Sequence, residues 1–180
     1  MGKFVGLLRG INVGGNRKVA MVELKTFLEN LGFEKVKTIL QSGNFVFTTN
    51  GSSAELEKRL EQEAEKKMGL KIDFHVRSQK EWSEVIKANP FPKEAEDDPS
   101  HLVVLFLKSK PDGAQIKAVQ DQVKGREIIK PGQQEHYITY PDNIGDSKLG
   151  SVPGFAKLTA QGTGRNWNTV LRLQKATKEI

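Results

Sequence analysis

Cysteine is absent from the 180-residue chain, and with it any disulfide framework, thiolate metal site or cysteine nucleophile. Histidine is scarce: His75, His101 and His136 stand far apart, each in or beside an expected strand, with no metal-ligand spacing between them. No apolar run approaches the roughly 18 residues that a bilayer requires, so no membrane partner is expected. The start MGKFVGLL has Gly6 where a myristoylation signal needs serine or threonine, and its apolar stretch is short and interrupted. The expected location is the cytoplasm. Ser42 lacks the Gly-x-Ser-x-Gly elbow of a serine nucleophile. Neither a phosphate-binding P-loop nor a G-x-G-x-x-G fingerprint is present. No metal, no cofactor and no catalytic residue is therefore expected from motifs, and no reaction is named.

What is present is an ordinary folding composition. Hydrophobic residues at 37% and charged residues at 28% exclude disordered and collagen-like classes, and the length suits one large domain or two small ones. The formal net charge of +6 is uneven. Arg9, Arg17 and Lys18 give residues 9–18 a charge of +3, and six basic residues against Glu179 give residues 147–180 a charge of +5. With Lys3 counted, residues 19–146 carry −3. A slightly acidic body thus bears two basic segments, a pattern that suits an anionic partner.

The first half reads as alternating strands and helices. KFVGLLRG is continuously apolar, as in a central strand covered on both faces. Met21, Leu24, Leu28 and Leu31 recur at helical spacing ahead of Gly32. Residues 36–41 and FVFTT form two strands around a Ser42-Gly43-Asn44 turn. Ser52 and Glu55 make a capping box for a second helix with Leu56, Leu60, Ala64 and Met68 on one face. Ile72, Phe74 and Val76 alternate with Asp73, His75 and Arg77, the pattern of a half-exposed edge strand.

The expected fold is therefore α+β, with a ferredoxin-like βαββαβ unit over residues 1–77. Residues 78–100 are expected to hold a short helix, capped by Ser78 and Glu81, and a linker rich in proline and acids. Residues 101–180 repeat the order as a similar βαββα unit: the strand HLVVLFLK, a helix from Pro111 to Gly125, a hairpin around Pro131-Gly132, and a basic helix from about Asn166 to Lys178.

In a βαββαβ unit the crossover rule makes strands one and two parallel. The loop leaving strand one and the hairpin between strands two and three then share one end of the sheet. Those segments bring Arg9, Asn12, Gly14, Gly15, Asn16 and Lys18 beside Gln41, Ser42 and Asn44, with no acid in either. A helix start near Val19 adds unpaired N–H groups and a positive dipole end. Glycine permits close backbone approach and the basic residues supply counter-charge, which is the chemistry of a phosphate or anion site. Tight turns use the same residues for purely local reasons.

LLRGINVGGNRKVAM, followed by LGF and QSGNFVF, resembles the opening of the bacterial family called domain of unknown function 1697. Asn89-Pro90-Phe91-Pro92, YPDNIGDSKL (140–149) and GRNWNTVLRL (164–173) are similar to its later signatures. The resemblance implies a cytoplasmic bacterial α+β protein of ferredoxin-like architecture with no established activity, and it assigns no catalytic residue. The chain departs from the family at residues 150–154, where GSVPG interrupts the helix that usually follows SKL.

Lys148 is included among the candidate ligand-binding residues. Arg165, Asn166, Trp167 and Asn168 admit two readings. Trp167 could stack on a base or sugar while Arg165 meets a phosphate; or Asn166 or Thr163 caps the helix and Trp167 fills the core. Stacking of RNA on the sheet is disfavoured by phase, since Phe45 and Phe47 fall on the helix-facing side and Asn44 and Val46 on the open one. The leading expectation is a module that binds an anionic small molecule or nucleic-acid phosphate at the 9–18 and 41–44 rim. An enzyme acting there on a phosphorylated or nucleotide substrate, and an interaction protein without a small ligand, are the alternatives. The sequence leaves the oligomeric state undetermined.

Overall fold

The local signals produce the elements they predict. Ser52 Oγ and the Glu55 carboxylate cap each other's backbone N–H at the start of helix α2 (Ser53–Met68), and Gly69 closes it in the left-handed region at φ 64°. Ser78 and Glu81 do the same for α3 (Gln79–Lys87). In the computed structural model, which describes residues 1–12 and 18–180, the first half runs β1 (Gly2–Leu8), α1 (Met21–Asn30), β2 (Glu34–Ile39), β3 (Asn44–Thr49), α2, β4 (Phe74–Ser78) and α3. The second half runs α4 (Pro92–Asp97), β5 (Leu102–Phe106), α5 (Gly113–Gln120), β6 (Ile128–Pro131), β7 (Glu135–Thr139), a 3-10 turn at Leu149–Ser151, α6 (Phe155–Leu158), β8 (Thr163–Asn166) and α7 (Trp167–Glu179).

Two four-stranded antiparallel sheets result, in the orders β2-β3-β1-β4 and β6-β7-β5-β8. Both are the ferredoxin-like order, and the fold is α+β. The chain divides into two compact units, Met1–Glu84 with Arg172–Ile180, and Val85–Leu171. The first unit thus takes in most of α3 and the last turns of α7.

In the first unit the helix-facing side of the sheet carries Phe4, Leu8, Phe45, Phe47, Phe74 and Val76, packed under Leu24, Phe27 and Leu28 of α1 and Leu56, Leu60 and Ala64 of α2. Phe47 stacks on Phe4, Phe33 and Phe45 with ring centroids 5.5, 4.8 and 5.4 Å away. Gly6 makes room for this cluster, since a Cβ there would lie 2.1 Å from the Phe45 ring. The opposite side of the same strands is buried too: Val5, Leu7, Asn44 and Val46 are all at most 1% exposed. A base stacked on that sheet would find no open surface.

Four segments differ from expectation. β4 is not half-exposed: His75 and Arg77 are buried along with Phe74 and Val76. Burial of Arg77 is offset by an ion pair with Glu57 at 3.1 Å. The acidic stretch taken for a linker holds α4, with Pro92 at its first turn where a missing N–H costs nothing. The second unit gains a fourth strand, β8, which pairs with β5 and completes a βαββαβ order. The helix begun at Asp112, whose carboxylate caps α5, also stops at Gln120 rather than at Gly125.

The outer edge of β4 is closed by α2. The N–H groups of Phe74, Val76 and Ser78 donate to Glu61 (3.0 Å), Glu57 (2.8 Å) and Ser53 (3.2 Å). Four helical residues rise about 6 Å and two strand residues about 6.6 Å, so the i, i+4, i+8 row of the helix matches every second residue of the strand. An edge covered this way offers no template for further pairing.

Candidate functional site

The end of β1 is fixed from both sides. The Leu8 N–H donates to the Gly43 carbonyl at 2.9 Å, and the Arg9 N–H to that of Asp73 at 3.0 Å. Gly43 has φ 75°, and a Cβ there would lie 2.6 Å from Ile11 Cδ1, so glycine is required for both conformation and space. Asn12 adopts φ 55°, a left-handed conformation that asparagine tolerates. Its Oδ1 accepts from the Val19 N–H at 3.0 Å, and its Nδ2 donates to the carbonyls of Val19 (3.0 Å) and Gln41 (2.7 Å). One side chain thus joins Val19, just ahead of α1, to Gln41 of the 40–43 turn.

Six of the sequence-predicted residues come together here: Arg9, Asn12, Lys18, Gln41, Ser42 and Asn44. Their roles divide. Asn12 and Asn44 position the rim, and the fully buried Asn44 amide donates to the Ile39 carbonyl and Ser42 Oγ at 3.0 and 2.9 Å. Lys18, Gln41 and Ser42 are exposed. Arg9 is half-exposed and meets Asp73 at 3.3 Å, an acid that the two segments themselves do not contain. Between half-exposed groups such a pair contributes about 0–1 kcal/mol, and 43% of the Arg9 side-chain surface is exposed. Gly14, Gly15 and Asn16 lie outside the described residues. Beyond Lys18, the N-cap of α1 is Ala20, which supplies no side-chain acceptor, whereas Ser52, Asp112 and Asn166 cap their helices with side-chain oxygens. The Glu23 carboxylate accepts at 3.4 Å from the N–H of Ala20, the N-cap itself.

The other predicted residues belong to the second unit. Asn166 Oδ1 accepts from the Thr169 N–H and hydroxyl, both at 3.0 Å, and Trp167 is 4% exposed. Capping and core packing, rather than stacking on a ligand, account for that pair. Arg165 is buried, donates to Thr163 Oγ1 at 2.7 Å and the Gly164 carbonyl at 2.8 Å, and burial pushes its pKa down to about 10. Asn168 is exposed. Lys148 is exposed and lines a cavity of about 660 Å³ with Lys124, Glu127, Asp142 and Asp146. Asp142 is held there by Arg126, and Glu127 by the Ser147 hydroxyl.

A basic groove escaped the sequence reading. Lys37, Thr38, Ile39 and Leu40, at the end of β2, face Arg172, Lys175 and Glu179 of α7 across a cavity of about 430 Å³. The +5 charge of residues 147–180 was the available signal, but only packing of α7 against β2 shows where it goes. Among the described residues no group of three His, Asp or Glu side chains is placed to hold a metal, and no helix is long and apolar enough to cross a membrane.

A tandem of two ferredoxin-like α+β units, the first carrying a polar rim stapled by one asparagine, defines the class. Within it, the chain belongs to the protein family of unknown function DUF1697, whose profile matches residues 1–137. The motifs at 140–149 and 164–173 lie beyond the matched stretch. The conserved bacterial protein SP0830 from Streptococcus pneumoniae has a similar solved structure, with a TM-score of 0.76 at 26% identity over 98% of each chain. No curated protein matches the chain.

Proposed function

We propose that the first unit is a binding module for an anionic ligand carrying phosphate, seated on the rim formed by residues 9–18 and 41–44. The observation that carries this reading is the Asn12 side chain, whose bonds to Val19 and Gln41 hold two polar segments in one place. Lys18 and Arg9 supply positive charge, Gln41 and Ser42 supply exposed donors, and the start of α1 lacks a side-chain cap. A pre-positioned set of donors at a helix start suits a phosphate better than a cation or an apolar ligand. The cytoplasm, where nucleotides and phosphosugars abound, is the setting that this reading implies.

Thermal denaturation against inorganic phosphate, nucleotides and phosphosugars tests it. A ligand at a hundred times its Kd stabilises by about 2.7 kcal/mol, and an Arg9→Ala/Lys18→Ala variant should lose that gain. If no anion raises the melting temperature of the unaltered protein, the rim is not a binding site.

A further inference from the structure

The rim does not end at the turn. Leu40, which lines the basic groove, is the residue before Gln41, whose carbonyl Asn12 holds. Both features lie in the first unit. Within the groove Lys37 meets Glu179 at 3.2 Å, while Arg172 and Lys175, exposed on successive turns of α7, form no ion pair among the described residues. From Arg172 to Glu179 the helix rises about 10 Å, and from Lys37 to Leu40 the strand and turn cover a similar length. One strand carries a charge per about 3.4 Å of axis when stacked and fewer when unstacked, so that distance holds two or at most about three.

We infer that rim and groove together form one track for the backbone of a single-stranded nucleic acid, with the rim seating one phosphate and the groove the next two or three. This inference rests on the anion reading of the rim and extends it from one phosphate to a chain of them. Leu40 is 45% exposed, at φ 62°, in the middle of the track. It offers an apolar platform to an unstacked base, which a duplex would keep hidden. Among the described residues no aromatic side chain lines the groove, so recognition is of backbone rather than of sequence. An added peptide strand is disfavoured on the same edge, because β2 is bulged between Glu34 and Lys37 and Lys35 sits at φ 51°.

Fluorescence anisotropy with labelled oligothymidylates of two to ten nucleotides, across salt concentrations, tests the track. Affinity should rise with length and level off near four to six nucleotides. Arg172→Ala/Lys175→Ala should lower the salt slope by about 1.4, at about 0.7 per phosphate contact, and weaken binding on the order of 50-fold at about 50 mM salt. Lys58→Ala/Lys66→Ala removes the same charge from α2 and should change little. If it weakens binding equally, net charge alone acts and the track is overturned. If short and long oligomers bind alike and only Arg9→Ala/Lys18→Ala abolishes binding, the rim reading stands and the track falls. If polyglutamate competes as well as the oligomer, the assignment to nucleic acid is wrong. If no anion binds the unaltered protein, both readings fall.

Discussion

Between β3 and β4 the first unit places the 16-residue helix α2; between β7 and β8 the second unit places a three-residue 3-10 turn and the four-residue α6. The strand orders on either side are the same, so what differs is how the helix-facing side of each sheet is covered. In the first unit α2 fills the space above four stacked phenylalanines and closes the β4 edge with Ser53, Glu57 and Glu61. In the second, Val103, Leu105, Ile138 and Gly164 floor a cavity of about 460 Å³ walled by Tyr140 and Phe155. Glycines and a proline between Gly150 and Gly154 keep the covering segment short. Topology fixes the sheet, and the length of one helix decides whether a sheet face ends as closed core or as a recess.

That contrast can be broken by substitution. The largest effect is expected from Glu57→Ala, which removes an acceptor from the β4 edge and leaves Arg77 buried without its carboxylate. Chemical denaturation should show a loss of about 4 kcal/mol. A matched pair comes next. Gly6→Ala forces a methyl into the Phe45 ring and should cost about 3 kcal/mol, whereas Gly164→Ala meets Val103 at 3.2 Å beside the recess and should cost under about 1 kcal/mol. Equal costs would mean that the two faces are packed alike.

Smaller effects sharpen the picture. Asn12→Ala removes three hydrogen bonds and should cost about 2 kcal/mol, with amide exchange quickening at Val19. His136 lies buried in the second unit, and burial holds its pKa below the ordinary 6.5. The unfolded chain therefore takes up a proton near pH 6.5 that the folded one resists. Its share of stability is full above that pH and is lost as pH falls toward the lower, folded value. The fall in Tm between pH 7 and 5 should be shallower in His136→Gln than in the unaltered protein.

How legible these features were depended on what kind of residue carried them. Helix starts were readable because Ser52 with Glu55, and Ser78 with Glu81, satisfy backbone groups within four residues of themselves. The strand core was readable from apolar runs and alternation. β8 was hidden because Thr163-Gly-Arg-Asn166 has no apolar residue and becomes a strand only through pairing with β5. The burial of Arg77 was invisible because its partner Glu57 stands 20 residues away. At the rim, the meeting of the two loops followed from the crossover rule. The division of labour within it did not, since Asn12 and Asn44 look like ligand donors until their acceptors are seen to be three backbone carbonyls and the Ser42 hydroxyl. The groove combines residues near 37–40 with residues near 172–179, a pairing that no local pattern announces.

The central claim is that anion recognition belongs to the rim of the first unit. Backbone amide NMR shifts recorded during titration with a nucleoside monophosphate address it most directly. Movements concentrated at Arg9–Asn12, Lys18–Met21 and Gln41–Gly43, and abolished by Arg9→Ala/Lys18→Ala, are the predicted result. Shifts confined to the second unit, around Lys124 and Lys148, with the rim amides unmoved, would contradict it.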